Sequence, residues 1–556
     1  MLKDRHRITE AQVAGQRKHL FPALPALLSI SLSVFPAATQ AVNAPDIVPP
    51  DPVAIELPAG VSDLGAGDAP IRELIARVQA DGFRVTLTLP HDRIGVGVWR
   101  AIWSAWAAQD ADHPPGGHPP GRRESWLFVL PHGMTPVGSG GAGNAIAGNN
   151  TTHIVRDANG SVHMVWYDSW RPFIHEGAQY RRAWLGPDGK AQFQTDVMQL
   201  GAHAGTWSSM PTVTAAGNTM HFVWQAEGTA RYRSLTRDGD TWRWSDEIDT
   251  KIVSPGRDTG PSIAADEKGV HLITPAAIYA TSTDGGRIWT SEPVPFGADE
   301  HVKTVSLTLD NQGRPLAAAS SVVFDPGKYS EDVGHGGYWT VRLARRVAPG
   351  KWETITGPVD GRPEWARPSD SNQDVLCDWV RVLEDRVGGI HVTWHGTAAS
   401  RIYGNDRAYY AWRAPDGAWS APISLHEPDA HRGFGWSYAP NLTLDGDRAL
   451  TLSFHQVHVG WHERGFDAEL NLFRDGKKLA PELPVTRFAE KSVVAGEPDH
   501  ALSAWFPGAA PALVRNGDGR VWADILLSLA PTGVNAPTLI VWDRLDLTDW
   551  LKSAGQ

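Results

Sequence analysis

The chain has 556 residues, 42% of them hydrophobic and 20% charged, which suits one large core or two ordinary ones and excludes both a disordered tail and a membrane bundle. Fifty-one Lys+Arg against 62 Asp+Glu leave a formal charge of -11; that balance repels nucleic acid and supplies no basic stripe for it. The single cysteine, Cys377, excludes an intramolecular disulfide and a cysteine-rich metal site, while 25 Trp, 56 Gly and 41 Pro point to turn-rich β structure with aromatic surfaces.

In chain order, Lys3, Arg5, Arg7, Arg17 and Lys18 precede an apolar stretch from Leu20 to Phe35 and the small residues Ala37, Ala38 and Ala41. That order is the one a secretory signal needs. The apolar stretch is broken by Pro22 and Pro25 and falls short of the roughly 20 residues that span a bilayer. Residues 1–41 are therefore expected to be an export signal, with no stable membrane anchor and a secreted or periplasmic mature protein. Residues 42–52, rich in Pro and Ala, read as a linker. Residues 53–148 form an N-terminal region that is only partly assignable: a helix-like Ile71 to Asp81 and candidate strands at Phe83 to Leu89 and Trp126 to Leu130, either of which is a candidate to close the fold that follows.

From Asn149 onward one phrase recurs: a small or polar strand, a Gly turn, then an apolar strand carrying His and Trp. Thr152 to Trp166 and Pro211 to Trp224 are its clearest copies. Weaker ones run from Pro261 to Thr274, Val305 to Ser320, Val380 to Trp394, Pro440 to Phe454 and Pro511 to Ile525. Most are followed by a second hairpin whose turn is often Asp-Gly, as at Asp238-Gly and Asp475-Gly, a strong hairpin signal. Each repeat is thus four short antiparallel strands. Such a unit cannot cover both its faces alone, and radial stacking solves this as a six- or seven-bladed, all-β propeller over residues 149–548, with 549–556 as a tail.

Ser282-Thr-Asp-Gly-Gly-Arg-Ile-Trp289 matches the Ser-x-Asp-x-Gly-x-x-Trp Asp-box, so the chain resembles the sialidase-like (BNR-repeat) propellers over about Asn149 to Val485. The motif is a turn device: the Asp accepts backbone N–H bonds and the Trp packs between strands. Asp284 is accordingly expected to be structural. His163, His221, His271 and His391 recur three residues before Trp166, Trp224, Thr274 and Trp394; a residue reused from blade to blade serves the blade, so they are expected to be packed.

Function is expected on the face where the variable connections emerge. His395 and His455 follow the Trp394 and Phe454 positions, where other repeats carry Tyr167, Gln225, Pro275 and Ser321, and this departure makes them candidate catalytic bases. Asp168 and Glu227 are candidate carboxylates for hydrolysis. Tyr167, Arg171, Arg401, Tyr403, His458 and Trp436 are candidate substrate-binding residues, since aromatic rings suit sugar faces and Arg suits carboxylates or sulfates. The same connections also hold His426. His455-x-x-His458-x-x-x-His462 has a metal-like look, but strand alternation sends i and i+3 to opposite faces, so no metal and no cofactor are expected.

The resemblance implies a glycoside hydrolase acting on a poly- or oligosaccharide, although the Phe/Tyr-Arg-Ile-Pro motif of sialidases is absent and Trp170-Arg-Pro172 is its nearest relic. The alternatives are a polysaccharide lyase, with His395 or His455 as base and Arg401 or Arg171 on a uronate carboxylate, and a non-catalytic glycan- or protein-binding propeller. The mature protein is expected to be a monomer.

Overall fold

The computed structural model describes the backbone of three strands between residues 53 and 131, and most of the chain from 134 to 555. Outside the description within that range are 141–145, 147–150, 169–176, 187–190, 196, 202–207, 256–259, 298–299, 325–336, 360–376, 398–405, 427–436, 459–463, 487–501 and 532–537. The expected export signal and linker lie outside the described residues, and no helix among those described is long and apolar enough to cross a membrane.

Seven antiparallel sheets follow one another in sequence. In each, the first strand is innermost: Val380 N donates to Thr304 Oγ1 and Leu307 N to Ser262 Oγ, joining first strands of neighbouring blades. Blade 1 begins at Ile154–Arg156, blade 2 at Ser208–Ala216, blade 3 at Ser262–Asp266 and blade 4 at Glu300–Leu309. Blade 5 begins at Cys377–Glu384, blade 6 at Ser437–Asp445 and blade 7 at Leu502–Ala509. Blade 7 takes its second and third strands from Val521–Pro531 and Thr538–Asp546, and its outermost strand from Thr135–Gly140 near the other end of the chain. The ring is therefore a seven-bladed propeller, closed by a strand earlier than the first repeat. The two stretches expected as closing candidates instead belong to a separate parallel sheet of Val53–Glu56, Val85–Leu89 and Leu127–Pro131. Their period-2 pattern shows that they are strands but not which edge they pair with.

The repeated histidines tie blades 1, 2, 3 and 5 internally and, through tyrosine, to the next blade. His163, His221, His271 and His391 sit on second strands. Their Nδ1 atoms meet the hydroxyls of Tyr180, Tyr232, Tyr279 and Tyr410 on the third strands at 3.0, 2.8, 2.5 and 2.9 Å. The same tyrosine rings then pack on the fourth-strand side of the next blade: Tyr180 on Trp244, Tyr232 on Trp289 and Tyr279 on Trp352, all edge-on at 5.1 to 5.4 Å. Tyr410 stacks on Phe473 at 4.1 Å. Three of the chain's 25 tryptophans are used this way. A tyrosine between blades buries a large ring while its hydroxyl keeps a partner, and each such bond contributes about 1 kcal/mol.

Where a second partner is needed, a turn aspartate supplies it. Asp385 accepts the N–H groups of Val387 and Gly389 and receives His391 Nε2 at 3.0 Å. Asp157 does the same for Asn159 and Ser161, with His163 at 3.4 Å. These histidines are packed structural groups.

Candidate functional site

Connections between second and third strands, and between blades, emerge on one face. At that end the first strands of blades 2, 4, 5, 6 and 7 each carry a register shift, for instance between Asp378 and Arg381 and between Tyr438 and Asn441. Bulges re-aim side chains next to functional sites. In blade 5 the bulge puts Trp379 at φ +52° with its ring 4.9 Å from that of His395. It also sends the Arg381 guanidinium to Thr152 Oγ1 at 2.6 Å. Blades 1 and 5 are not neighbours, so this bond crosses the channel; burial pushes Arg381 down to about 10.

The register position singled out at His395 and His455 differs sharply between blades. Tyr167, Gln225, Ser321 and His395 are all buried there, and burial pushes His395 down to about 3. As placed, that imidazole is out of reach of a large substrate. At blade 6 the position opens, and the His455 side chain is 18% exposed. His455 Nδ1 lies 3.3 Å from Glu469 Oε2, and His426 Nδ1, on the connection from blade 5, lies 3.5 Å from Glu469 Oε1. The two imidazoles stack at 4.3 Å and 15°. Burial holds His455 below the usual imidazole range, opposed by the Glu469 carboxylate.

The setting of this cluster follows from strand alternation. Thr451, Ser453 and His455 on the second strand of blade 6 face Asn471, Glu469 and Asp467 on the third, and alternate residues share a side. Further along the same side, Ala449 and Phe473 pack with Ala408, Tyr410 and Leu425 of blade 5. The interface between blades 5 and 6 is thus apolar at one end and polar toward the mouth. Thr486 Oγ1 donates to Asp467 Oδ1 at 2.9 Å.

Glu227 lies elsewhere. The connection that carries it is a two-residue hairpin turn, with Glu227 at φ +52° and Gly228 at φ +78°. Its carboxylate is held by Arg231 at 2.6 Å, and Arg231 also reaches Asp249 at 3.1 Å. Asp168 and His458 end the second strands of blades 1 and 6, with backbone alone described. Arg171, Arg401, Tyr403 and Trp436 lie outside the described residues.

No family model matches the chain, and no curated protein matches it. Among solved structures it is similar to a polysaccharide lyase, a PL25 ulvan lyase, with TM-score 0.47, 12% identity, and coverage of 76% of this chain and 99% of that one. A PL25 ulvan lyase bound to -[GlcA(1-4)Rha3S]- gives TM-score 0.46 with the same identity and coverage. A thermostable family-43 glycoside hydrolase gives TM-score 0.26 and 11% identity over 51% of this chain and 88% of that one. Likeness at this level assigns neither activity nor ligand.

Glu469 is the residue that sequence reasoning missed, and with it the pairing of His426 to His455. The available signal was the run Asp467, Glu469, Asn471 at alternate positions of an otherwise apolar strand; in a blade covered on both faces, that places polar groups inside an interface.

The Ser282–Trp289 turn is as expected of a structural device. Asp284 Oδ1 accepts Arg287 N and Ile288 N, each at 3.0 Å, and the Ser282 hydroxyl at 2.7 Å. The N–H of Ile288, then the Ser282 hydroxyl, hold the Asp284 carboxyl below its usual range. Asp284→Ala is expected to lower the thermal unfolding midpoint modestly while leaving turnover unchanged; a loss of turnover in folded protein would give this turn a role in the chemistry.

Proposed function

We propose that the protein is an exported, monomeric, carbohydrate-active propeller of the sialidase-like kind that its Ser282–Trp289 turn resembles, and that it cleaves an acidic glycan by β-elimination at the mouth between blades 5 and 6. The observation that carries this reading is the partly exposed His426–His455 pair over the buried Glu469 carboxylate, at the one described copy of the rim position that opens to solvent. Elimination requires positive or hydrogen-bonding groups on a uronate carboxylate, to acidify the neighbouring C–H, and a proton acceptor beside it. The imidazole pair suits the first role. Arg401, Tyr403 and His458, on the segments that flank the pair in sequence, are candidates to complete both.

Hydrolysis is the second reading. It needs two carboxyl groups on either side of the scissile bond, and of its candidates Glu227 is engaged with Arg231 in a tight turn of blade 2. The test is to incubate the purified mature protein with uronic-acid polysaccharides and sialosides, following the ultraviolet absorbance of an unsaturated uronate together with reducing ends. Both signals together are expected, and His426→Ala or His455→Ala should lower kcat/KM by at least roughly 100-fold, about 2.7 kcal/mol of transition-state stabilisation. Reducing ends without absorbance would replace elimination by hydrolysis. Binding without either signal would make the protein a glycan-binding module.

A further inference from the structure

The His426, His455 and Glu469 atoms that face one another are not hydrogen bonded in the ordinary way. A charge-assisted N–H···O bond closes to about 2.7–2.9 Å, whereas these N···O separations are 3.3 and 3.5 Å. His455 Nδ1 and Glu469 Oε1 are both buried atoms with no hydrogen-bond partner. The spacing, though its 3.3 and 3.5 Å separations run to different Glu469 oxygens, suits another arrangement once one imidazole turns out of the 4.3 Å stack so that both Nδ1 lone pairs point at a common ion. Ligand atoms about 2.0–2.2 Å from a tetrahedral ion stand about 3.3–3.6 Å apart, and the three donor atoms here all lie within 4.8 Å of one another.

A second observation points the same way. Behind the cluster, on the same side of blade 6, Thr451 Oγ1, Ser453 Oγ and both side-chain polar atoms of Asn471 are buried without partners. Asn471 is fully buried. An interface meant to be dry would carry apolar residues at these positions, as it does at Ala449 and Phe473. Polar groups kept here need something polar to face, and Ser453 stands directly opposite Glu469, placed to support that carboxylate.

We propose that His426, His455 and Glu469 form a divalent-metal site of the zinc class, with three protein ligands and a remaining position open toward the mouth. Two imidazoles and one carboxylate are the donor set zinc accepts. Part-exposure of both histidines, at 18% and 24% of their side chains, leaves the outer side for an exchangeable ligand. This set shares only His455 with the His455, His458, His462 spacing in the sequence. It is assembled from the blade 5–6 connection and two strands of blade 6, so occupancy also ties the connection to the blade. If the glycan reading above holds, the open position is where a uronate carboxylate is received; that clause rests on that reading, while metal binding does not.

The test uses untagged full-length protein stripped with chelator, titrated with Zn2+ by calorimetry and with Co2+ in the visible range. About one equivalent is expected to bind with Kd below roughly 1 μM, and Co2+ should give the intense absorption of a low-symmetry four-coordinate site. His426→Ala, the more exposed change, and Glu469→Gln should each weaken binding by more than the roughly 10- to 100-fold that losing a supporting contact causes. Glu267→Gln, on a turn at the opposite face, should bind as the wild type. Circular dichroism of each variant shows whether it is folded, and the His426 variant carries the test if the buried Glu469 change unfolds. Wild-type protein that takes up no Zn2+, or equal uptake by the folded His426 variant, overturns the site. Metal uptake at the site with no cleavage of any polysaccharide would leave the site standing and overturn the elimination reading alone.

Discussion

Deleting residues 135–140 is expected to abolish the cooperative unfolding transition of the propeller. That strand pairs five positions with Thr538–Trp542 of blade 7, and its Val137 is fully buried. The Val137 carbonyl accepts from the buried Arg181 guanidinium of blade 1 at 2.7 Å, so the strand also joins the first blade to the last. Five ladder positions at about 1 kcal/mol each, with about 2 kcal/mol for the buried valine, amount to roughly 7 kcal/mol. A domain's whole stability is about 5–15 kcal/mol. The open edge left along Thr538–Asp546 would in addition template association with other chains. A point change asks the same question more gently: a Cβ on Gly138 would stand 2.5 Å from Trp166 Cζ2, so Gly138→Val forces the closing strand away from a fully buried ring. Calorimetry and gel filtration check both variants; a deletion that melts like the full chain would mean that blade 7 does not close the ring.

Acid should destabilise the protein well before its carboxylates titrate. Burial pushes His221 and His271 down to about 4 and His395 to about 3, against about 6.5 in the unfolded chain. A depressed imidazole is neutral in the fold, so above pH 6.5 it is neutral in both states and costs nothing. As pH falls from 6.5 toward 4, the unfolded chain takes up protons that the fold refuses, and stability drops by up to about 1.4 kcal/mol per pH unit for each group, or roughly 2 kcal/mol each at pH 5. His163 is shifted in the same direction by burial, with Asp157 opposing. Asp157, Asp385 and Glu292 are held below the usual carboxylate range, which adds a separate loss below about pH 4. Urea unfolding at pH 7.5 and pH 5.0 should show a clearly lower midpoint in acid. His395→Phe, which packs a ring of similar shape against Trp379 without a proton site, should reduce that difference; equal midpoints at the two pH values would mean that these imidazoles do not stay neutral in the fold.

The mouth between blades 5 and 6 shows how far repeat logic reaches. Comparing equivalent positions picked out His395 and His455 together, because both depart from the repeat. It could not separate them, since what does so is the bulge that folds Trp379 over one and the connection that brings His426 over the other. Likewise Glu227 read as a free loop carboxylate, and it became part of an ion pair once Glu227-Gly228 turned out to be a two-residue turn.

What the amino-acid sequence determined by itself was whatever each blade needs for its own sake: the strand pairs, the Asp-Gly turns, the packed histidines and the turn built on Asp284. These are local, because antiparallel hairpins close over a few residues and their alternation is written in consecutive positions. Only the tertiary structure decided which distant strand closes the ring, that Arg381 crosses the channel to Thr152, and that Glu469 meets two histidines from separate segments. Those contacts join residues 14 to more than 400 positions apart, and their formation depends on how seven sheets stack around an axis, a geometry that no short-range period encodes.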